Sequence, residues 1–83
     1  MWTLVKWEDT TSVDEAWVTE EEASDLRPST VVTVGKVLHQ TNAYITIAGS
    51  VGCEDGEYGD VTCIPTGCIL QIRNFEEPEN AKT

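Results

Sequence analysis

Basic side chains are scarce in this sequence of 83 residues, where five lysines and arginines stand against fifteen aspartates and glutamates. The formal net charge of −10 repels nucleic-acid phosphates and anionic membranes over long range, so we expect neither as a direct partner. Long apolar runs are also missing, since none approaches the roughly 18 residues of a membrane-spanning helix. The opening segment Trp2–Trp7 is too short and too polar for a signal peptide, which predicts a cytoplasmic protein.

The sequence also lacks the motifs of the common enzyme classes. No G-x-S-x-G, H-E-x-x-H, Walker or dinucleotide-binding pattern is present, and His39 is the only histidine. A turn-facing or pocket-lining role is favoured for His39, with a general base as the alternative. We therefore expect no catalytic residue, no enzymatic activity and no cofactor.

Metal ligands are poorly arranged as well. Cys53, Cys63 and Cys68 are odd in number, and their spacings fit no zinc pattern. We interpret them as reduced, partly buried thiols, with a Cys63–Cys68 disulfide or a Cys/His metal site as alternatives. The loop Glu54–Asp60 has four carboxylates without the alternation of a calcium loop, so a solvated hairpin loop is favoured.

Strand patterns dominate what is present. Trp2–Trp7 alternates large and polar residues and predicts a first strand. Val31–His39 predicts a long second strand, in which Gly35 marks a bulge or a bend. Three further strands are predicted over residues 44–48, 61–64 and 68–72, with tight turns at 40–43 and 65–67.

One helix is predicted between the first two strands. After a loop over Glu8–Ala16, Thr19-Glu20-Glu21-Glu22 forms a capping box, in which Thr19 and Glu22 satisfy each other's amides. Pro28 disfavours helical geometry at Arg27, so this helix is expected to be short.

This order of elements predicts a mainly β protein with about five strands and one short helix between strands 1 and 2. We expect the last four strands to pair sequentially and to close into a small SH3- or Sm-like barrel, because closure removes exposed edges. Residues 1–75 would form a single domain, and residues 76–83 an acidic, flexible tail. A chain this short is marginally stable, which favours support from a partner subunit and hence a homo-oligomer.

The few cations and the aromatic residues are candidates for a ligand site. Bases on a rigid barrel can converge into a phosphate pocket, especially across symmetric subunits, and aromatic rings can stack on a nucleobase. The predicted ligand-binding residues are Trp7, Trp17, Arg27, Lys36, His39, Tyr44 and Arg73. For each tryptophan the alternative is a core or interface position, and for each base an ordinary surface position.

Acidic residues are concentrated early in the chain, with eight between Glu8 and Asp25 and no lysine or arginine among them. A solvated face is the favoured interpretation. The alternative is a surface that imitates the phosphate backbone of DNA and binds a basic host protein.

Several short motifs together resemble a group of small proteins encoded by bacteriophages and prophages, over about residues 3–73. They are Trp7-x-Asp9, an acidic helix after Trp17, TVGKVLHQT at 33–41, YITIA at 44–48 and IPTGCI at 64–69. Small phage proteins outside the virion often blunt host defence, some by sequestering nucleotide immune signals and others as acidic mimics of DNA. The resemblance therefore implies a non-enzymatic accessory protein in the bacterial cytoplasm.

The first hypothesis is a homo-oligomer that sequesters a nucleotide-derived immune signal. The second is an acidic inhibitor or DNA mimic that binds a basic host protein. The third is a minor structural or assembly protein of the phage.

Overall fold

The computed structural model describes residues 2–76 and arranges them as five strands and one short helix, which confirms the mainly β prediction. The strands are β1 (Trp2–Asp9), β2 (Ser29–Gln40), β3 (Tyr44–Val51), β4 (Tyr58–Pro65) and β5 (Ile69–Phe75). The helix α1 (Glu20–Ser24) lies between β1 and β2, and a single 3₁₀ turn (Thr66–Cys68) joins β4 to β5. The predicted tail lies outside the described residues, apart from Glu76.

The strands form one antiparallel sheet in the order β4-β3-β2-β1-β5. The predicted sequential pairing is confirmed from β2 to β4 but was wrong for β5, which pairs with β1. The turn Thr66–Cys68 does not reverse the chain into a hairpin; it leads to Ile69, which lies opposite Trp7 on β1. Among residues 2–76, β4 and β5 are the two edge strands of the sheet and are not hydrogen-bonded to each other. Closure into a barrel therefore stays a prediction.

The long strand β2 belongs to both halves of the sheet. Its first part pairs with β1 as far as Gly35, and its second part pairs with β3 from Lys36 onward. At this change of partner a Cβ on Gly35 would overlap the carbonyl oxygen of Ala48 and lie 2.7 Å from its carbonyl carbon. The register then shifts between Val37 and His39. Gly35 thus permits a close approach of β2 and β3. The bulge lies beyond Val37, rather than at Gly35 itself as predicted.

The hydrophobic core is small and lies on one face of the sheet, which we call the inner face. Four fully buried aliphatic side chains form its centre: Val5, Ile45, Ile47 and Ile64. Four half-buried side chains pack around them: Trp7, Val37, Cys68 and Ile69. Since burial of one such aliphatic side chain contributes about 1.5–3 kcal/mol, a cluster of four gives this domain a modest reserve of stability.

Residues 10–28 leave the sheet as an exposed segment, which we call the arm. The last β1–β2 pair is Asp9 with Ser29, and just beyond it the Thr11 hydroxyl donates to the Arg27 carbonyl at 2.7 Å. Every residue of the arm is exposed except Val18, which is half-buried. The arm therefore contributes almost nothing to the core.

The capping box at the start of α1 is confirmed. The Glu22 amide donates to the Thr19 hydroxyl at 3.1 Å, and the Thr19 amide donates to the Glu22 carboxylate at 3.4 Å. The helix ends at Ser24, before Pro28 can impose the end. The Arg27 guanidinium donates to the carbonyls of Ser24 at 2.9 Å and Leu26 at 2.8 Å, which satisfies two carbonyls just beyond the helix.

Candidate functional site

One candidate site is a cleft of about 310 Å³ between the β2–β3 turn, the 3₁₀ turn and β5. Its polar lining consists of Gln40, Thr41, Asn42 and Thr66, and its apolar and aromatic lining of Tyr44, Ile45, Ile69 and Ile72. None of these side chains is charged. The cleft therefore offers hydrogen-bonding groups around an apolar floor, which suits a polar, planar group better than a free anion.

Hydrogen bonds fix the walls of the cleft. The Thr41 hydroxyl accepts from the amides of Ala43 at 3.1 Å and Tyr44 at 3.2 Å, so one side chain closes the β2–β3 turn. The Thr41 amide donates to the Tyr44 carbonyl at 2.9 Å. The Thr66 amide donates to the Ala43 carbonyl at 2.8 Å, which ties the 3₁₀ turn to the same structure. Two turns that are far apart in sequence thus form one preorganised wall.

Three of the predicted ligand residues share the outer face of β2 and β3, opposite the inner face. Lys36 lies opposite Ala48 and His39 opposite Thr46, and these β3 positions alternate with buried isoleucines. Tyr44 occupies the next position on that face, where its ring centroid lies 5.8 Å from that of His39 with the planes tilted by 46°. His39 and Tyr44 therefore form an aromatic pair at the edge of the cleft.

Lys36 lies apart from this pair and contacts Tyr58 on β4. Its ammonium nitrogen is 3.4 Å from the Tyr58 hydroxyl and 5.4 Å from the centroid of the Tyr58 ring. The sequence reasoning missed Tyr58 as a neighbour of Lys36, because their contact crosses two strand pairings. A cation held on an aromatic face in this way keeps most of its hydrogen-bonding capacity for a further anionic group.

The other four predicted residues are not brought together. Trp7 lies on the inner face, where it packs against the core and its indole nitrogen donates to the Thr33 hydroxyl at 3.0 Å. Trp17 and Arg27 lie on the arm, and Trp17 is 92% exposed. Arg73 lies on β5 opposite Leu4, two strands away from Lys36 on β2. One chain therefore does not gather its bases into a single pocket.

Sequence reasoning missed most of the cleft itself. The turns that contain Asn42 and Thr66 were both recognised, but nothing in either turn indicates that the two are neighbours. Their proximity depends on the return of β5 to β1, which places Ile69 and Ile72 under the cleft. The missing signal is a long-range strand pairing, which local patterns do not contain.

The cysteines are all free, with Cys53 and Cys63 exposed and Cys68 half-buried. The expectation of partly buried thiols therefore holds only for Cys68, which packs against the core. Within residues 2–76, no three histidine, cysteine, aspartate or glutamate side chains are grouped so that they could hold a metal ion. No helix in the described part of the chain is long and apolar enough to cross a membrane.

Comparison with known proteins gives no relative: no family model, no curated protein and no solved structure matches this chain.

Proposed function

We propose that this chain is a non-catalytic binding protein that captures a small nucleotide-derived signal as a homo-oligomer in the cytoplasm of a bacterial host. The observation that carries the proposal is the uncharged cleft beside the His39–Tyr44 ring pair. The role of countering host defence is implied by the resemblance to phage-encoded proteins.

The lining of the cleft suits a nucleobase. The amides of Gln40 and Asn42 each offer donors and an acceptor, which is what the edge of a base requires. Tyr44, which is 37% exposed, offers a ring face on which a base can stack. A volume of about 310 Å³ lies at the lower end of the range of small-molecule pockets, which is usually about 300–1,000 Å³.

The phosphates of such a ligand need cations that the cleft does not supply. Lys36 lies on the same outer face as His39 and Tyr44, three residues before His39 on β2. Arg27 lies on the arm, and Arg73 follows the cleft residue Ile72 but alternates to the opposite face of β5. In this proposal these two arginines reach the ligand from a neighbouring copy. The homo-oligomer is therefore part of the binding mechanism.

The proposal includes closure of the sheet toward an SH3- or Sm-like barrel. The turn Thr66–Cys68 leads from Pro65 on one outer strand to Ile69 on the other. Four residue steps span at most about 14 Å, since an extended chain advances by about 3.3–3.6 Å per residue. Four strand spacings in a flat sheet would amount to about 19 Å. The short connection thus supports a strongly curled sheet, in which the two outer strands approach each other at this end.

The test is a thermal-shift panel of cyclic dinucleotides and cyclic ADP-ribose isomers. A ligand at a hundred times its dissociation constant is expected to add about 2.7 kcal/mol to the free energy of unfolding. Tyr44→Ala should abolish the shift, since it removes the stacking ring. Absence of a shift with every member of the panel would contradict the proposal.

Val61→Ala is the control for Tyr44→Ala. Val61 is 51% exposed on β4 and neither lines the cleft nor hydrogen-bonds to Lys36. We expect Val61→Ala to retain the thermal shift. Equal losses in the two variants would contradict the assignment to the cleft.

A second candidate function is the acidic inhibitor of a basic host protein. It is favoured by the exposure of the arm, which has six carboxylates and a single base. Capture of such a partner should weaken steeply with salt and should be reduced when Glu20, Glu21 and Glu22 are replaced together by glutamine. If neither salt nor the triple substitution weakens the capture, phosphate mimicry is excluded.

A further inference from the structure

The outer face of β5, β1 and β2 has an unusual composition for a free surface. Three rows of opposed residues cross it: Phe75–Trp2, Arg73–Leu4–Val34 and Gln71–Lys6–Val32. We call these eight residues the outer patch. Five of them are apolar and two are cationic, and the first carboxylate on this face of β1 is Glu8, opposite Thr30 at the end of the patch.

Apolar side chains of the outer patch are exposed or half-buried on three strands. Val32 is 56% and Val34 45% exposed, and Phe75 is exposed as well, while Trp2 and Leu4 are half-buried. Contiguous apolar residues rimmed by polar groups mark an interaction site more often than a solvated face. The two cations, Lys6 and Arg73, further indicate that the occupant is acidic.

The arm has the complementary composition. It has six carboxylates, Asp14, Glu15, Glu20, Glu21, Glu22 and Asp25, against one base, Arg27. It also has exposed apolar side chains, among them Val13, Leu26 and the 92%-exposed Trp17. A tryptophan is the residue type that most often dominates the binding energy of an interface, and its exposure shows that it does not bind its own sheet.

We propose that the arm of one copy binds the outer patch of a second copy, and that the exchange is reciprocal about a two-fold axis. Trp17 would pack against the apolar rows of the partner, and the arm carboxylates would face the partner's cations. This contact specifies how the homo-oligomer of the proposed function forms, and it rests on that part of the proposal. Two such contacts per dimer also supply buried apolar surface that the small core of one chain lacks.

The first test measures the mass of the ligand-free protein by native mass spectrometry and light scattering. We expect a dimer for the unmodified chain. Trp17→Ala and Val34→Glu should each raise the dimer dissociation constant about thirtyfold or more, as is usual for the loss of an interface hot spot. The control is Val61→Glu, because Val61 is a strand valine of 51% exposure on β4, outside the outer patch. Val61→Glu should leave the dimer intact.

The second test mixes the two defective variants. Trp17→Ala has an intact patch and a defective arm, whereas Val34→Glu has an intact arm and a defective patch. A mixed dimer contains one complete arm–patch contact, and neither variant alone can form any. We therefore expect a heterodimer in the mixture, under conditions where each variant by itself is monomeric.

Three results would overturn this inference. They are a monomeric unmodified chain, equal disruption by Val61→Glu and Val34→Glu, and absence of the mixed dimer. A monomer whose arm captures a basic protein would assign the arm to that partner instead. Because no ligand is present, failure here is separate from failure of the cleft, which is judged by the thermal shift of Tyr44→Ala.

Discussion

The sheet and the arm differ in what their apolar residues contact. In the sheet, residues such as Ile45 and Ile47 are fully buried and pack against one another. In the arm, Trp17 and Leu26 face solvent, although ordering each residue of the backbone costs about 1–2 kcal/mol of conformational entropy. The sheet is thus stabilised by a core within one chain, whereas the arm has local hydrogen bonds but no buried apolar side chain of its own.

This difference separates two kinds of experiment. Substitutions in the sheet should change the free energy of unfolding, and substitutions in the arm should change association while the sheet stays folded.

Ile47→Ala should have the largest effect, because it removes a fully buried side chain from a core with only four such members. Truncation of this kind costs about 2–5 kcal/mol, a large share of the stability of a small domain. Urea unfolding followed by circular dichroism measures the loss. Val61→Ala, at a half-exposed strand position, should change the unfolding free energy by less than about 0.5 kcal/mol. Similar losses for both would mean that the core lies elsewhere.

Gly35→Ala should destabilise the sheet where its two halves meet. The added Cβ overlaps the Ala48 carbonyl, so the backbones of β2 and β3 must separate, at a cost of about 1–3 kcal/mol or more. The control is Gly67→Ala, since a Cβ at Gly67 meets nothing within 4 Å. Chemical denaturation of the pair measures the difference, and a Gly35→Ala variant as stable as the control would exclude the close approach.

Trp7→Phe tests whether Trp7 acts as part of the sheet. The change keeps an aromatic ring and removes the hydrogen bond to Thr33, worth about 1 kcal/mol. Thr33→Val and the double variant complete a mutant cycle, which isolates the interaction of the two side chains. We expect the double variant to lose less than the sum of the single losses. Strict additivity would show that the bond adds nothing to stability.

Thr19→Ala should have the smallest effect on unfolding. It removes the cap of α1, which costs about 1 kcal/mol of helix stability, but no residue of α1 is buried. Amide exchange of Glu20–Ser24 should therefore accelerate while the melting temperature of the sheet stays the same. Thr19→Ser retains the cap and serves as the control. A lower melting temperature for Thr19→Ala alone would reveal coupling between arm and sheet.

Some local features of the fold were predictable from the sequence. The capping box at Thr19 depends on side-chain and backbone geometry within a few residues, and it is confirmed. The glycine at position 35 marks a close approach of two backbones, whereas the register shift lies between Val37 and His39. The partner of β5 was not predictable in this way, because the turn at Thr66–Cys68 has the composition of a hairpin turn but leads across the sheet.

The candidate site was predictable only in part. His39 and Tyr44 flank one predicted turn, so their proximity follows from a hairpin. Trp7 was expected at a ligand but contacts the core, because an alternating strand does not reveal which of its faces is buried. The outer patch was not recognised, since Lys6, Val34 and Phe75 come from three strands that are distant in sequence.

The pairing of β1 with β5 joins the second residue of the chain to the seventy-fifth, and this order has a consequence for synthesis. The pairings from β1 to β4 can form as the chain leaves the ribosome, because each of these strands pairs with the next strand in the sequence. The other edge of β1 stays unpaired until β5 has been synthesised. Until then, a nascent chain exposes an unpaired β1 edge with Leu4 and Val5, and such edges promote aggregation. Rapid arrival of β5, or early covering of this edge, thus determines how much of the protein reaches its folded state.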